Sequence, residues 1–317
     1  MRRALSFLVK LVVSGLLLFL ALNWVNLGRV ADRLSQIDPT WLALAVLAPL
    51  AQNFLLTLRW QKILSRCGSD LGLGQMFRYS MVALFFNQTL PSSVGGDAMR
   101  IWLVGKQSNW RTATYSVLVD RVVGVVALAI LVTACLPWTL QLVRNPVGRS
   151  ALLLIGLGCI LGGIVFVSLA WEHLRILQRW APTRHLAASA TVAAGILRSP
   201  STLTKVFGLS FAIHFLTAFN AWCVARSVGA DLSLQYALFL VLPVILIAIV
   251  PVSIAGWGIR EGAMVAAFGY AGLAPSDGLI VSLLYGASYL LIGVIGGLVW
   301  LLTGKQIEGA PAPAVDS

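Results

Sequence analysis

Long apolar stretches recur along almost the whole of this 317-residue sequence. A helix needs about 20 such residues to cross the roughly 30 Å hydrocarbon core of a bilayer. Only 11% of the residues are charged, whereas a soluble domain carries about 25%. The sequence therefore predicts an all-α polytopic membrane protein, with one transmembrane domain over residues 1–303 and a disordered cytoplasmic tail over residues 304–317. The six predicted full spans are Leu5–Trp24, Trp41–Leu58, Ala113–Leu136, Ala151–Trp171, Val206–Ala225 and Leu279–Leu302.

The basic residues are distributed unevenly around these spans. Of the 23 lysines and arginines, 16 fall on the side that holds both termini, including Arg59 and the predicted loop over residues 171–205. Five fall on the other side. Because cytoplasmic loops are enriched in Lys and Arg, we expect a multi-pass inner-membrane protein with both termini in the cytoplasm. The net charge of +12 is then a topology signal, and no nucleic-acid partner is expected.

Two further apolar segments, Met76–Leu90 and Tyr236–Val250, are too short to cross the membrane untilted. Each is followed by proline and then by a run containing serine, glycine and arginine. Placed 160 residues apart, the two runs align without a gap, although proline and glycine gather at membrane turns in general. The identical pairs are Pro91 and Pro251, Ser93 and Ser253, Gly96 and Gly256, and Arg100 and Arg260.

The number of spans constrains how these short segments lie in the membrane. With both termini on one side, the number of full crossings is even, so the short segments are predicted to be re-entrant broken-helix hairpins. Each half of the chain, about 1–145 and 146–303, then has three spans and one hairpin. Because three is odd, the halves form an inverted repeat. Interrupted helices that meet in such repeats mark the binding sites of many transporters.

The residues at the breaks suit a headgroup site. Proline ends a half-helix by removing a donor, and glycine permits a tight reversal. The half-helix that returns presents backbone N–H groups, to which phosphate or carboxylate binds readily. We therefore expect the breaks to take part in binding through Ser93 and Ser253 and through free N–H groups. The breaks themselves are formed by Pro91, Gly95, Gly96, Pro251, Gly256 and Gly258.

Six ionisable residues are predicted to lie within the membrane. Such residues are costly there, and by default they indicate a functional site. Their charges sum to zero, so they also fit a buried ion-pair cluster that only joins helices. Glu261 is expected to orient its neighbour Arg260. No cofactor is expected, since the histidines and cysteines show no metal-binding spacing. The six residues are Asp97, Arg100, Asp120, Arg121, Arg260 and Glu261.

The motifs at these positions resemble a known family. The runs LPSSVGGDAMRIWLV, SVLVDRVVGVVAL and PVSIAGWGIREGAMV are similar to the membrane part of bacterial lysylphosphatidylglycerol synthase and its stand-alone relatives. The resemblance covers Leu5 to Leu302. It implies a flippase for modified phospholipids or, as in related stand-alone members, a role with hopanoid, glycolipid or polyprenyl lipids. The soluble aminoacyl-transfer domain does not follow in this sequence, so no lysyltransferase activity is expected.

The predicted function is therefore a lipid flippase or transporter, not an enzyme, that moves an anionic or modified phospholipid, or a polyprenyl or glycolipid, between leaflets. Its expected partners are anionic lipid headgroups and, as an open alternative, further copies of the same chain in a homo-oligomer. Two alternatives are an intramembrane lipid-modifying transferase and an accessory subunit of a lipid-synthesis pathway. The expected headgroup ligands are Arg100, Arg260, Asp97, Glu261, Asp120, Arg121, Ser93 and Ser253.

Overall fold

A computed structural model describes residues 35–89, 95–143, 145–168, 181–249 and 256–308. Ten helices account for nearly all of these residues, and no strand occurs among them. They are α1 (Pro39–Arg66), α2 (Leu73–Thr89), α3 (Gly95–Gln107), α4 (Trp110–Leu142), α5 (Pro146–Ser168), α6 (Ala181–Leu197), α7 (Pro200–Ser227), α8 (Leu234–Ala248), α9 (Ile259–Tyr270) and α10 (Pro275–Glu308).

Five of these helices are long and apolar enough to cross a membrane: α1, α4, α5, α7 and α10. They contain five of the six predicted spans, and the sixth, Leu5–Trp24, lies outside the described residues. The exposed side chains of α5 and of the second half of α10 are largely leucine, isoleucine and valine, as expected for surfaces that face lipid. The chain is therefore a multi-pass membrane protein.

The predicted loop over residues 171–205 is wrong in part, because it contains helix α6. This helix packs against α4, α5 and α7. Its apolar part, His185–Leu197, is built mainly from alanine and valine and is shorter than a span. Such a segment gives a weak hydropathy signal, and packing against neighbouring helices stabilises it. At the other end of the chain, α10 continues to Glu308, into the segment predicted to be disordered.

The two short apolar segments form short helices, each followed by a second one. Helices α2 and α3 have 17 and 13 residues, and α8 and α9 have 15 and 12. At 1.5 Å per residue they extend roughly 18 to 26 Å, less than the hydrocarbon thickness. Within each pair the two helices pack against each other. The breaks between them lie partly outside the described residues, with Pro91, Ser93, Pro251 and Ser253 among those not described.

The two central helices, α1 and α7, begin with similar sequence signals. Helices α1 and α7 have 28 residues each, and each starts with proline, which is favoured in the first turn. The Asp38 side chain caps α1 by accepting a hydrogen bond from the Thr40 N–H at 2.8 Å. Helices α1 and α7 pack along each other and contact α4 and α10. They form the centre on which the remaining helices are arranged.

Candidate functional site

A polar cavity of about 390 Å³ lies between helices from both halves of the chain. From the first half it is lined by Asp97 and Arg100 on α3 and by Asp120 and Arg121 on α4. From the second half, Gly256 and Arg260 line it. The predicted site residues that follow the two breaks therefore face one common space. Glu261 is completely buried and does not line the cavity.

In the first half, two carboxylates lie among three arginines. Asp120 accepts from Arg59 at 2.8 Å and from Arg100 at 2.9 Å. Asp97 pairs with Arg121 and, more weakly, with Arg100 at 3.5 Å. Each carboxylate thus has two guanidinium partners, and the cluster keeps one excess positive charge. The predicted mutual pairing of these charges is confirmed.

Arg59 is the member of this cluster that the sequence analysis placed in the cytoplasm. Helix α1 continues beyond it to Arg66 and the Arg59 side chain is buried, so Arg59 belongs to the packed interior and not to a solvated end of the span. Arg59 also donates to the Ser210 hydroxyl at 3.0 Å. Gly124 makes room for it, since a Cβ there would lie 3.3 Å from the guanidinium. The signal that could have found Arg59 is the unbroken helical stretch that follows it up to Gly68.

An aromatic ring fixes the position of Arg100. The Arg100 guanidinium lies 3.9 Å from the centre of the Trp60 ring. Trp60 is fully buried, and its indole N–H donates to the Ser116 hydroxyl at 3.1 Å. The contact between a cation and an aromatic face is attractive, the more so away from water. Trp60 therefore orients the Arg100 side chain that reaches the cavity.

The second half holds a smaller ion pair. The Arg260 guanidinium donates to the Glu261 carboxylate at 2.6 Å. The Ser282 hydroxyl joins the two, accepting from Arg260 at 3.0 Å and donating to Glu261 at 3.0 Å. Arg260 also faces the rings of Trp257 and Tyr285, at 4.9 and 5.4 Å. Glu261 binds Arg260 from a buried position outside the cavity, which agrees with the orienting role expected for it.

The expectation of free N–H groups at both returning helices is wrong for one residue at each helix, Gly96 and Gly258. The Gly258 N–H donates to the Glu261 carboxylate at 2.5 Å. The Gly96 N–H donates to the Asn87 side chain at 2.9 Å. Unsatisfied backbone groups are costly where water is scarce, so side chains from the chain itself occupy these donors. Binding to the cavity then depends on side chains more than the sequence suggested.

The glycines near the breaks have two different roles. Gly256 and Gly258 have φ values of +79° and +87°, a backbone conformation that glycine adopts readily and that suits the tight turn predicted before α9. Gly95 and Gly96 instead begin helix α3. A Cβ on Gly96 would overlap the Ala83 carbonyl of α2. Gly96 therefore allows the two short helices to approach closely.

A chain of hydrogen bonds between uncharged side chains forms another part of the cavity wall, and it was not predicted from the sequence. Tyr285 donates to Tyr289 at 3.2 Å, Tyr289 donates to Gln52, and Gln52 donates to Thr217 at 2.9 Å. These four residues, the hydroxyl–amide chain, join α10, α1 and α7, and all four line the cavity. Residues so far apart in sequence give no common pattern that could reveal them.

Three buried polar atoms of lining residues have no hydrogen-bond partner among the described residues. They are the amide nitrogen of Asn53, the hydroxyl of Ser80 and Nε of Arg100. Buried polar groups are nearly always paired, so a ligand or water in the cavity is expected to complete them. His214 also lines the cavity and bonds the Gly124 carbonyl at 3.0 Å. The described residues contain no cluster of three histidine, cysteine or acidic residues that could hold a metal.

The sequence profile of the lysylphosphatidylglycerol synthase TM region matches residues 7–297. The chain belongs to this family. Two UPF0104 membrane proteins of Methanothermobacter thermautotrophicus are similar to it. One is 25% identical over 291 residues, covering 84% of this chain and 86% of the relative. The other is 25% identical over 342 residues, covering 96% and 93%. The match therefore extends over the helices that enclose the cavity, and this member of the lysylphosphatidylglycerol synthase TM family has the polar site within its matched region.

Proposed function

We propose that this protein is a lipid flippase or transporter, not an enzyme, and that it holds an anionic headgroup in the polar cavity while the acyl chains stay in lipid. The observation that carries the proposal is the charge of the cavity wall. Four arginines line it, namely Arg59, Arg100, Arg121 and Arg260, against Asp97 and Asp120. With Glu261 paired to Arg260, one positive charge remains in excess. Buried charge without a counter-ion is costly, so an anion entering the cavity is attracted.

The position of helix α4 supports an amphipathic substrate. One side of α4 lines the polar cavity through Asp120, Arg121 and Gly124. Another side borders an apolar groove of about 360 Å³, shared with α5, α6 and α7, through Val122, Val126 and neighbouring residues. A lipid with its headgroup at the arginines finds apolar surface within a turn of the same helix. Headgroup and chain can thus be accommodated on opposite sides of α4.

The packing of the described helices supports the inverted repeat that we propose for transport. Helix α1 contacts α2 as α7 contacts α8, and α3 contacts α4 as α9 contacts α10. Across the halves, α2 packs on α10 and α8 packs on α4. Each of these contacts has a counterpart in the other half, whereas α5 and α6 have no counterpart among the described residues. The contacts support the repeat, and its inversion is proposed from the number of spans. We infer that the halves rock against each other and expose the cavity to each leaflet in turn.

A leaflet-accessibility assay tests the proposal. Purified protein is reconstituted into liposomes that contain fluorescent phosphatidylglycerol, and dithionite then bleaches the lipid that reaches the outer leaflet. Protein-free liposomes bleach by about half, and wild type is expected to raise the bleached fraction towards completion. Arg100→Gln and Arg260→Gln should bring it back to the protein-free level. Arg226→Gln, at an exposed arginine outside the cavity, is the matched control and should behave as wild type.

Two results would overturn the proposal. The first is a wild-type protein that bleaches no more lipid than protein-free liposomes. The second is unchanged lipid movement in both cavity variants. Elution of each variant as a single species in detergent separates a loss of activity from a loss of fold.

A further inference from the structure

We propose that the headgroup held in this cavity is a phosphate ester of an uncharged polyol, and that headgroups carrying an amino group are rejected. This inference rests on the proposed function and narrows its substrate class. It departs from the aminoacylated lipid that the family description names. It follows from the ion pairs of the acidic side chains and from the hydrogen bonds of the uncharged polar side chains in the wall.

The carboxylates near the cavity are already occupied. Asp97 and Asp120 each pair with two arginines. Glu261 accepts from Arg260, Ser282 and the Gly258 N–H, and it is completely buried. An ammonium group entering the cavity would therefore meet an excess of arginines, with both lining carboxylates already paired. Bringing it there would cost both its hydration and the repulsion between like charges.

The uncharged part of the wall suits hydroxyl groups. The hydroxyl protons of the hydroxyl–amide chain are donated within the protein, by Tyr285 to Tyr289, by Tyr289 to Gln52 and by Thr217 to a backbone carbonyl. A ligand hydroxyl can therefore donate to the oxygens of the chain, and it can accept from the second amide hydrogen of Gln52. The unpartnered donor of Asn53 lies next to Gln52 on α1 and lines the same cavity. A polyol offers several hydroxyls at the spacing of neighbouring carbons, which fits a wall of this kind.

Arg260 brings the two parts of the wall together. Its guanidinium lies 5.4 Å from the ring of Tyr285, the first member of the hydroxyl–amide chain. Gly286 leaves the space for this, because a Cβ there would overlap the guanidinium. A phosphate at Arg260 therefore has its ester group beside the hydroxyl–amide chain. The cavity volume of about 390 Å³ falls within the roughly 300–1,000 Å³ of small-ligand sites.

Binding to the purified full-length protein in detergent tests the inference with two matched pairs of dioctanoyl lipids. Phosphatidylinositol and phosphatidylethanol carry the same charge and differ in hydroxyls. Lysylphosphatidylglycerol differs from phosphatidylglycerol by a lysyl ester, which adds two amino groups and uses one glycerol hydroxyl. We expect phosphatidylinositol to bind about 10-fold more tightly than phosphatidylethanol, since one or two hydrogen bonds are worth such a factor. Phosphatidylglycerol should bind at least about 10-fold more tightly than its lysyl ester.

The variant Tyr289→Phe tests whether the hydroxyl–amide chain causes the preference for phosphatidylinositol. It removes one hydroxyl of the chain and should reduce the preference for phosphatidylinositol, while the affinity for phosphatidylethanol stays within about two-fold. Tyr270→Phe, at an exposed tyrosine outside the cavity, is the control and should leave the preference unchanged. Arg260→Gln should lower the affinity for all the anionic lipids.

Equal affinities within either lipid pair would overturn the inference, as would a Tyr289→Phe protein with the wild-type preference. Selective binding without lipid movement in liposomes would contradict the proposed transport and leave the headgroup class standing. Lipid movement without selective binding would contradict the headgroup class alone. Absence of binding to all four lipids would contradict both.

Discussion

Asp120 illustrates how strongly a single buried charge can constrain this protein. It is 1% exposed and receives hydrogen bonds from two arginines that come from different helices, Arg59 on α1 and Arg100 on α3. Removing one member of a buried ion pair leaves its partners uncompensated, which typically costs about 3–5 kcal/mol. Because Asp120 joins three helices, its loss should affect the fold as well as the cavity.

We predict that Asp120→Asn lowers the free energy of unfolding by about 3 kcal/mol or more. The asparagine is nearly the same size, so the change removes the charge and leaves the packing in place. Thermal unfolding of the purified protein in detergent measures the effect. Asp70→Asn is the control, because Asp70 is exposed and its carboxylate accepts a hydrogen bond from Ser65 at the protein surface, so a shift within about 0.5 kcal/mol is expected. A variant as stable as wild type would show that Asp120 is not the centre of the cluster.

At the residue scale, the sequence predicted the charged groups and missed some of their partners. Asp97, Arg100, Asp120 and Arg121 were identified because ionisable residues are rare in apolar segments. Their pairing followed from their opposite charges. Arg59 was missed because hydropathy alone ended the first central span at Leu58, one residue too early to include it. How deep a residue lies depends on where its helix ends.

At the scale of the helices, the packing of α10 on α2 depends on small residues. Helix α10 contacts α2 through glycines that let the two backbones approach. A Cβ on Gly296 would overlap the Met81 carbonyl, which is backbone and cannot move aside as a side-chain end can. Close approach at glycine is a common way for helices to associate in membranes. The contact holds the first pair of short helices against the second half of the chain.

We predict that Gly296→Ala lowers the free energy of unfolding by about 1–3 kcal/mol, the usual cost of overpacking. Measured by thermal unfolding in detergent, it should contrast with Gly158→Ala on α5, where a Cβ would meet nothing within 4 Å. The control is expected to be neutral or slightly stabilising, because alanine favours helix more than glycine. Equal shifts in the two variants would mean that α2 and α10 do not depend on this contact.

The short helices were predictable from sequence to within a few residues. Met76–Leu90 corresponds to α2, which starts at Leu73, and Tyr236–Val250 corresponds to α8, which starts at Leu234. Apolar length and a following proline were sufficient signals. Helix α6 was not predicted, because a short alanine-rich segment next to basic residues resembles a loop in hydropathy. Its contacts with α4, α5 and α7 are tertiary, and no pattern in its own residues records them.

At the scale of the whole molecule, the order of the helices is what links the two clusters of charge. Helices α1 to α4 and α7 to α10 follow the same sequence of long, short, short and long elements. Helix α2 packs on α10 and α8 packs on α4, so each half contributes a short helix to the packing of the other half. If the halves are inverted, the connection from α3 to α4 and the connection from α9 to α10 lie on opposite sides of the membrane.

Cysteine labelling in intact cells tests this topology. The four native cysteines are replaced by alanine, and single cysteines are introduced as Gln107→Cys and Ala274→Cys, at the two connections. We predict that a membrane-impermeant maleimide labels Ala274→Cys from outside. Gln107→Cys should react only after the membrane is permeabilised, because positive charge near α3 favours the cytoplasmic side. Lys106, next to it, carries that charge. Labelling of both positions from the same side would contradict the inverted repeat, even if the cavity and its ion pairs were otherwise as described.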